Sequence, residues 1–177
     1  PSPQAWRSPK RTMAYVERLV QAFTRLDPAG ADVFAANGRL YKDRLKTLDD
    51  ELRRTLAGIP EQRRVLVSCE GAFSYLADDY GLREAYLWPV NAESEITPRR
   101  MARLIDLVRE RQVPAVFCES TVSDAAQRQV AEATGARFGG TFYVDSLSSA
   151  DGPASTLLDL QRHNVKLIRD GLAGGKG

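Results

Sequence analysis

The sequence predicts an α/β fold: a parallel-sheet lobe covered by helices and preceded by a long connecting helix. After Pro60, short apolar runs of β type alternate with amphipathic helical stretches, the signature of parallel strands joined by helical crossovers. Before Pro60 the apolar positions keep helical spacing, broken only at Asp27-Pro28. With 177 residues, 43% of them hydrophobic and 27% charged, the chain can bury one core and carry an appendage.

Ser8-Pro9, a capping residue followed by proline, opens a first helix whose apolar positions Met13, Val16, Leu19, Val20 and Phe23 run to the break at Asp27-Pro28. A second helix is expected over about 28–58. Its stripe of Val33, Phe34, Leu40, Tyr41, Leu45, Leu48, Leu52 and Leu56 ends at Gly58-Ile59-Pro60. At about 1.5 Å per residue it is more than about 40 Å long, a strut rather than a core element. The alternating part then reads as strand 64–69, helix 71–80, strand 84–88, helix 98–111, strand 115–118, helix 123–134, strand 137–144 and helix 153–172. Thr97-Pro98 starts one of these helices, Gly135 ends another, and Gly152-Pro153 restarts the last.

The formal net charge of +2 is too small and too scattered for a phosphate-binding surface, which sets nucleic acid aside as a partner. No run of about 18 apolar residues is present to span a bilayer. The chain opens Pro-Ser-Pro-Gln-Ala-Trp without a signal segment, and its first residues read as the interior of something longer. Cys69 and Cys118 fit no zinc spacing and no C-x-x-C motif, and each closes a β-type run. They are either two buried thiols or, if those strands are parallel neighbours, one disulfide, which would imply an oxidising compartment. Neither G-x-S-x-G, H-E-x-x-H, a P-loop nor G-x-G-x-x-G occurs, so no enzyme constellation is evident. His163 reads as a partly exposed helix residue, and Gly139-Gly140 as a bulge or a close helix approach.

In open parallel sheets, ligands bind beyond the carboxyl ends of the strands. The residues there are Glu70, Asn91 with Glu93, Glu119 with Ser120, and Asp145 with Ser146. Four carboxylates on one rim repel and raise one another's pKa, and a hard divalent cation relieves this by favouring their ionised forms. Helix capping and pairing with arginines is the other reading of the same acids.

Several segments in order carry a resemblance. They are Val67-Ser68-Cys69-Glu70-Gly71-Ala72-Phe73-Ser74-Tyr75-Leu76, Tyr86-Leu87-Trp88-Pro89-Val90-Asn91-Ala92-Glu93, Val116-Phe117-Cys118-Glu119-Ser120-Thr121-Val122-Ser123-Asp124 and Gly139-Gly140-Thr141-Phe142-Tyr143-Val144-Asp145-Ser146-Leu147-Ser148. Together with Pro3-Gln4-Ala5-Trp6-Arg7-Ser8-Pro9, they resemble the metal-specific solute-binding proteins of ABC transporters over nearly the whole chain. The resemblance implies two lobes joined by one rigid helix, with the ion held by two histidines of the first lobe and two carboxylates of the second. It assigns 1–27 to the end of the amino-terminal lobe, 28–60 to the connecting helix and 61–177 to the carboxyl-terminal α/β lobe. The family carboxylates fall on Glu70 and Asp145, and Glu at the first of them is similar to the manganese branch; an oxygen-rich set suits Mn²⁺. The histidine of the Pro-His-Ala-Trp segment is Gln4 here, whose amide oxygen is a poorer donor for transition metals.

What the resemblance implies is a non-enzymatic, monomeric, extracytoplasmic component of an ABC importer, periplasmic or at the cell surface, free or lipid-anchored. It would capture Mn²⁺, with Zn²⁺ or Fe²⁺ as the alternatives, and deliver it to a membrane permease and its ATPase. A surface adhesin or metal buffer uncoupled from transport, a metal-assisted hydrolase, and a chain whose site has decayed at Gln4 are the rival readings. Because Cys69 adjoins Glu70, a disulfide to Cys118 would also tether that ligand, and its reduction would weaken metal binding.

Overall fold

The structure, a computed structural model, describes residues 3–92 and 96–174. A 3-10 helix over Pro3–Arg7 leads into helix α1 (Pro9–Leu26), capped by the Ser8 side chain, which accepts the Arg11 N–H at 3.4 Å. The expected second helix starts three residues late. Pro28–Gly30 forms a 3-10 turn, and α2 runs over Ala31–Ala57, about 40 Å at helical rise. The two helices pack as a hairpin, with Gly38 against Val20. The apolar residues that α2 buries, Leu45, Leu48, Leu52 and Leu56, all lie in its second half, so the helix is anchored in the core at one end. No helix among the described residues is long and apolar enough to cross a membrane.

The remainder is β1 (Val65–Gly71), α3 (Ser74–Tyr80), β2 (Arg83–Pro89), α4 (Pro98–Glu110), β3 (Ala115–Glu119), α5 (Ala125–Thr134), β4 (Arg137–Phe142) and α6 (Leu157–Leu172). β1 pairs with β2 and β3 with β4, both in parallel. The expected parallel sheet is thus two two-stranded ladders, which meet where β1 packs beside β3. At their carboxyl ends the link is a Cys69–Cys118 disulfide, with Cα atoms 4.8 Å apart, and a bond from the Glu70 N–H to a Glu119 side-chain oxygen.

Strand alternation sorts the two faces. Val65, Val67 and Cys69 of β1, with Val116 and Cys118 of β3, pack with Leu104 and Val108 of α4 and Val130 of α5. Leu66, Ala115 and Phe117 belong to the opposite core with Leu45 and Leu52 of α2, Phe73, Phe142, and Ile168 of α6; Phe117 stacks on Phe142 at 4.7 Å. Glu70 and Glu119 continue this second set, one residue beyond each cysteine.

Element ends differ from the sequence reading, most of them by one to four residues. Gly71 completes β1 opposite Pro89, so α3 waits until Ser74, and α5 begins at Ala125. β4 stops at Phe142 rather than 144. The last helix begins at Leu157, not at 153, because Ser148 binds Ala154 through both backbone and side chain at 3.0 Å and Thr156 provides the cap. Gly139-Gly140 combines the two alternatives expected of it. Phe138 pairs with Val116 and Gly140 with Phe117, leaving Gly139 as a bulge pressed on Phe117, while Gly140 takes φ +126° beside Leu167. His163 is half-buried, its Nε2 lying 3.0 Å from the Thr141 carbonyl.

Candidate metal centre

The carboxyl ends of β1 and β3 bring two acids side by side on the α2/α6 face. Glu70 is 6% exposed and accepts the Asn91 N–H through Oε1 at 2.5 Å. Asn91 follows β2 with φ +60°, a left-handed conformation that asparagine adopts more readily than most residues and that turns its N–H onto Glu70. The Glu70 N–H in turn donates to Glu119 Oε2 at 3.2 Å, while Glu119 Oε1 is buried without a hydrogen-bond partner. Burial pushes the Glu119 carboxyl up to about 8, against the pull of the Glu70 N–H and of Arg7. A cation placed here would favour its ionised form.

The third acid arrives from the loop after β4. Asp145 is half-exposed, and both its oxygens accept from Arg7 Nη2, at 3.2 and 3.3 Å. Arg7 is inside the protein. Its side chain is 1% exposed, Nη1 donates to the Ala72 carbonyl at 3.2 Å, and its guanidinium lies 5.0 Å from the Phe73 ring centre and 5.6 Å from that of Trp6. Burial pulls the guanidinium below its ordinary value, and the charges of Asp145, Glu119 and Glu70 oppose that pull. One group therefore sits in the field of all three carboxylates. Gln4 is buried on the same 3-10 helix, one turn before Arg7.

Of the sequence-derived rim, Glu70, Asn91 and Glu119 are joined by hydrogen bonds, and Asp145 is linked to them through Arg7. Glu93 lies outside the described residues. Ser120 is structural: its N–H donates to the Phe142 carbonyl at 2.8 Å. Cys69, Cys118 and Glu119 place ligand atoms within 4.8 Å of one another, but the disulfide leaves no thiolate for a soft metal, so the donors on offer are oxygens. Sequence reasoning missed Arg7. Its only signal was a basic residue inside the Gln4 segment, and the partner that gives it meaning is 138 residues away.

The model of the family described as "Zinc-uptake complex component A periplasmic" matches residues 1–171. An iron-binding protein, YfeA of Yersinia pestis, is 45% identical over 170 residues, covering 96% of this chain and 55% of that protein. The manganese-binding lipoprotein MntA of Halalkalibacterium halodurans is 33% identical over 171 residues, 97% of this chain and 57% of its own length. The Mn-bound periplasmic metal binding protein of Candidatus Liberibacter asiaticus superposes with a TM-score of 0.88 at 39% identity, covering 97% of this chain and 64% of that one. The chain thus spans little more than half the length of the relatives YfeA and MntA. On the family match and these identities, the chain belongs to the zinc-uptake complex component A family of periplasmic metal-binding proteins.

Proposed function

We propose that this chain is the carboxyl-terminal part of an extracytoplasmic substrate-binding component of an ABC importer. It captures a divalent transition metal, Mn²⁺ in preference to Zn²⁺ or Fe²⁺, and passes it to a membrane permease and its ATPase without making or breaking a bond. In this reading residues 1–27 end the amino-terminal lobe, 28–60 connect, and 61–177 form the second lobe. Glu70 and Asp145 are the carboxylate ligands, with the Gln4 amide oxygen as a further donor in place of the family histidine. The observation that carries it is the cluster of Glu70, Glu119 and Asp145 around one point of the fold, in a chain 39% identical to a protein solved with Mn bound. Oxygen donors without a thiolate suit a hard or borderline ion.

The test is calorimetric titration of Mn²⁺ into chelator-stripped protein. Glu70→Gln and Asp145→Asn should each weaken binding by at least roughly tenfold while leaving the circular dichroism unchanged, since each removes one charged ligand. Variants that bind Mn²⁺ as tightly as the parent would overturn the assignment.

A further inference from the structure

Arg7 is a fixed cation at the place where a mobile cation is expected to bind. Its guanidinium engages both oxygens of Asp145, is held from behind by the Ala72 carbonyl, and is shielded by Phe73 and Trp6. With the side chain 1% exposed, water cannot replace Asp145 as its partner where it stands. An ion that takes Asp145 therefore leaves a buried guanidinium without its carboxylate partner, holding only the Ala72 carbonyl and the more distant charges of Glu119 and Glu70, and removing one partner from a buried pair is unfavourable. The ion must also approach a like charge, which disfavours it further.

We propose that Arg7 is a built-in competitor of the cargo ion: it holds Asp145 in the metal-free chain, must give it up for metal to be captured, and so lowers affinity and favours release. This rests on the reading of Glu70 and Asp145 as ligands. Capture then has two states, Arg7 on Asp145 or metal on Asp145, and an ion binds only to the extent that it outcompetes the guanidinium. For a delivery protein the consequence is directional, because Arg7 can retake Asp145 as the ion leaves.

The test is Mn²⁺ titration of the parent, Arg7→Gln, Arg7→Gln/Asp145→Asn and Arg7→Gln/Glu70→Gln, each first melted in chelator to establish folding. Glutamine removes the charge and keeps a polar amide on a shorter side chain. Arg7→Gln should bind Mn²⁺ more tightly than the parent by roughly tenfold or more, the scale of one charge removed a few ångströms from an ion near a protein surface. The gain should vanish with Asp145→Asn. Equal or weaker binding by Arg7→Gln, with Glu70→Gln still damaging it, overturns the role of Arg7 and leaves the site reading intact. Insensitivity of Arg7→Gln to both Glu70→Gln and Asp145→Asn overturns the site reading itself. A second measurement needs no variant: in the parent, hydrogen exchange at the Arg7 Nε–H should be slow in chelator and faster with saturating Zn²⁺, a diamagnetic stand-in. Unchanged exchange at saturation would also overturn the proposal.

Discussion

Replacing Cys69 and Cys118 together by alanine removes a cross-link between residues 49 apart in sequence. Loop-closure entropy for a ring of that size corresponds to about 4 kcal/mol of stability at 25 °C. Alanine is the right replacement because both positions are 0% exposed, and a serine hydroxyl there would be buried without water. Two restraints survive the change: the β1/β3 side-chain packing and the Glu70 N–H bond to Glu119. They keep some order in the native state but do not shrink the unfolded ensemble, so most of the loss should appear. With a urea slope of about 2 kcal/mol per molar, the unfolding midpoint followed by circular dichroism should fall by about 2 M. The parent in excess dithiol should fall by a similar amount and bind Mn²⁺ more weakly, because Glu70 adjoins the released cysteine. A midpoint shift below about 0.5 M would refute the reasoning, since the cross-link would then do little to restrict the unfolded chain.

Two further outcomes follow from particular contacts. Asp79 accepts bonds from Arg11 Nε at 2.7 Å, Ser8 Oγ at 2.8 Å and Lys10 Nζ at 3.2 Å; burial pushes its carboxyl up, and these donors outweigh burial and hold it below its ordinary range. A depressed folded pKa gives stability that is present above the unfolded value of about 4 and lost as pH falls through the folded one. The parent's urea midpoint should therefore drop progressively below about pH 4 relative to that of Asp79→Asn, and parallel curves would exclude the effect. Gly139→Ala drives a methyl into the fully buried Phe117 ring at the bulge and should destabilise by about 1–3 kcal/mol, read as a lower urea midpoint; an unchanged midpoint would mean that β4 can shift away from β3.

The alternation of strands and helices was legible because it rests on local periodicity, and Gly139-Gly140 was legible as a bulge or a close helix approach, though not as both at once. Element ends were less so. Gly152-Pro153 has the composition of a helix start, yet Ser148 holds Ala154 in a turn and the helix waits for the Thr156 cap, which depends on a contact six residues back that no local preference encodes. The splitting of the sheet was also hidden. β1 and β3 are joined at their ends by a disulfide and by the Glu70 N–H bond to a Glu119 carboxylate rather than by a backbone ladder, and these are tertiary contacts that local sequence does not encode. The cysteines were readable as a possible pair only if their strands were neighbours, which sequence order does not establish.

The site shows the same division. Glu70 and Glu119 were found by their place at strand ends, but their closeness follows from the period of two that puts each cysteine on the opposite face. The covalent bond on the α4/α5 side fixes the register that sets two acids against each other on the α2/α6 side. Left alone, such a pair is relieved by a proton, and Glu119, pushed up to about 8, takes that course at neutral pH. A positive charge relieves it as well, and the fold already supplies one from the far end of the sequence in Arg7. A metal entering here therefore finds the charge problem of the acids partly solved, and its affinity depends on how much better it solves that problem than a guanidinium and a proton do. Ligand identity, which sequence can supply, sets only one side of that comparison; the other side depends on burial and on contacts 138 residues apart.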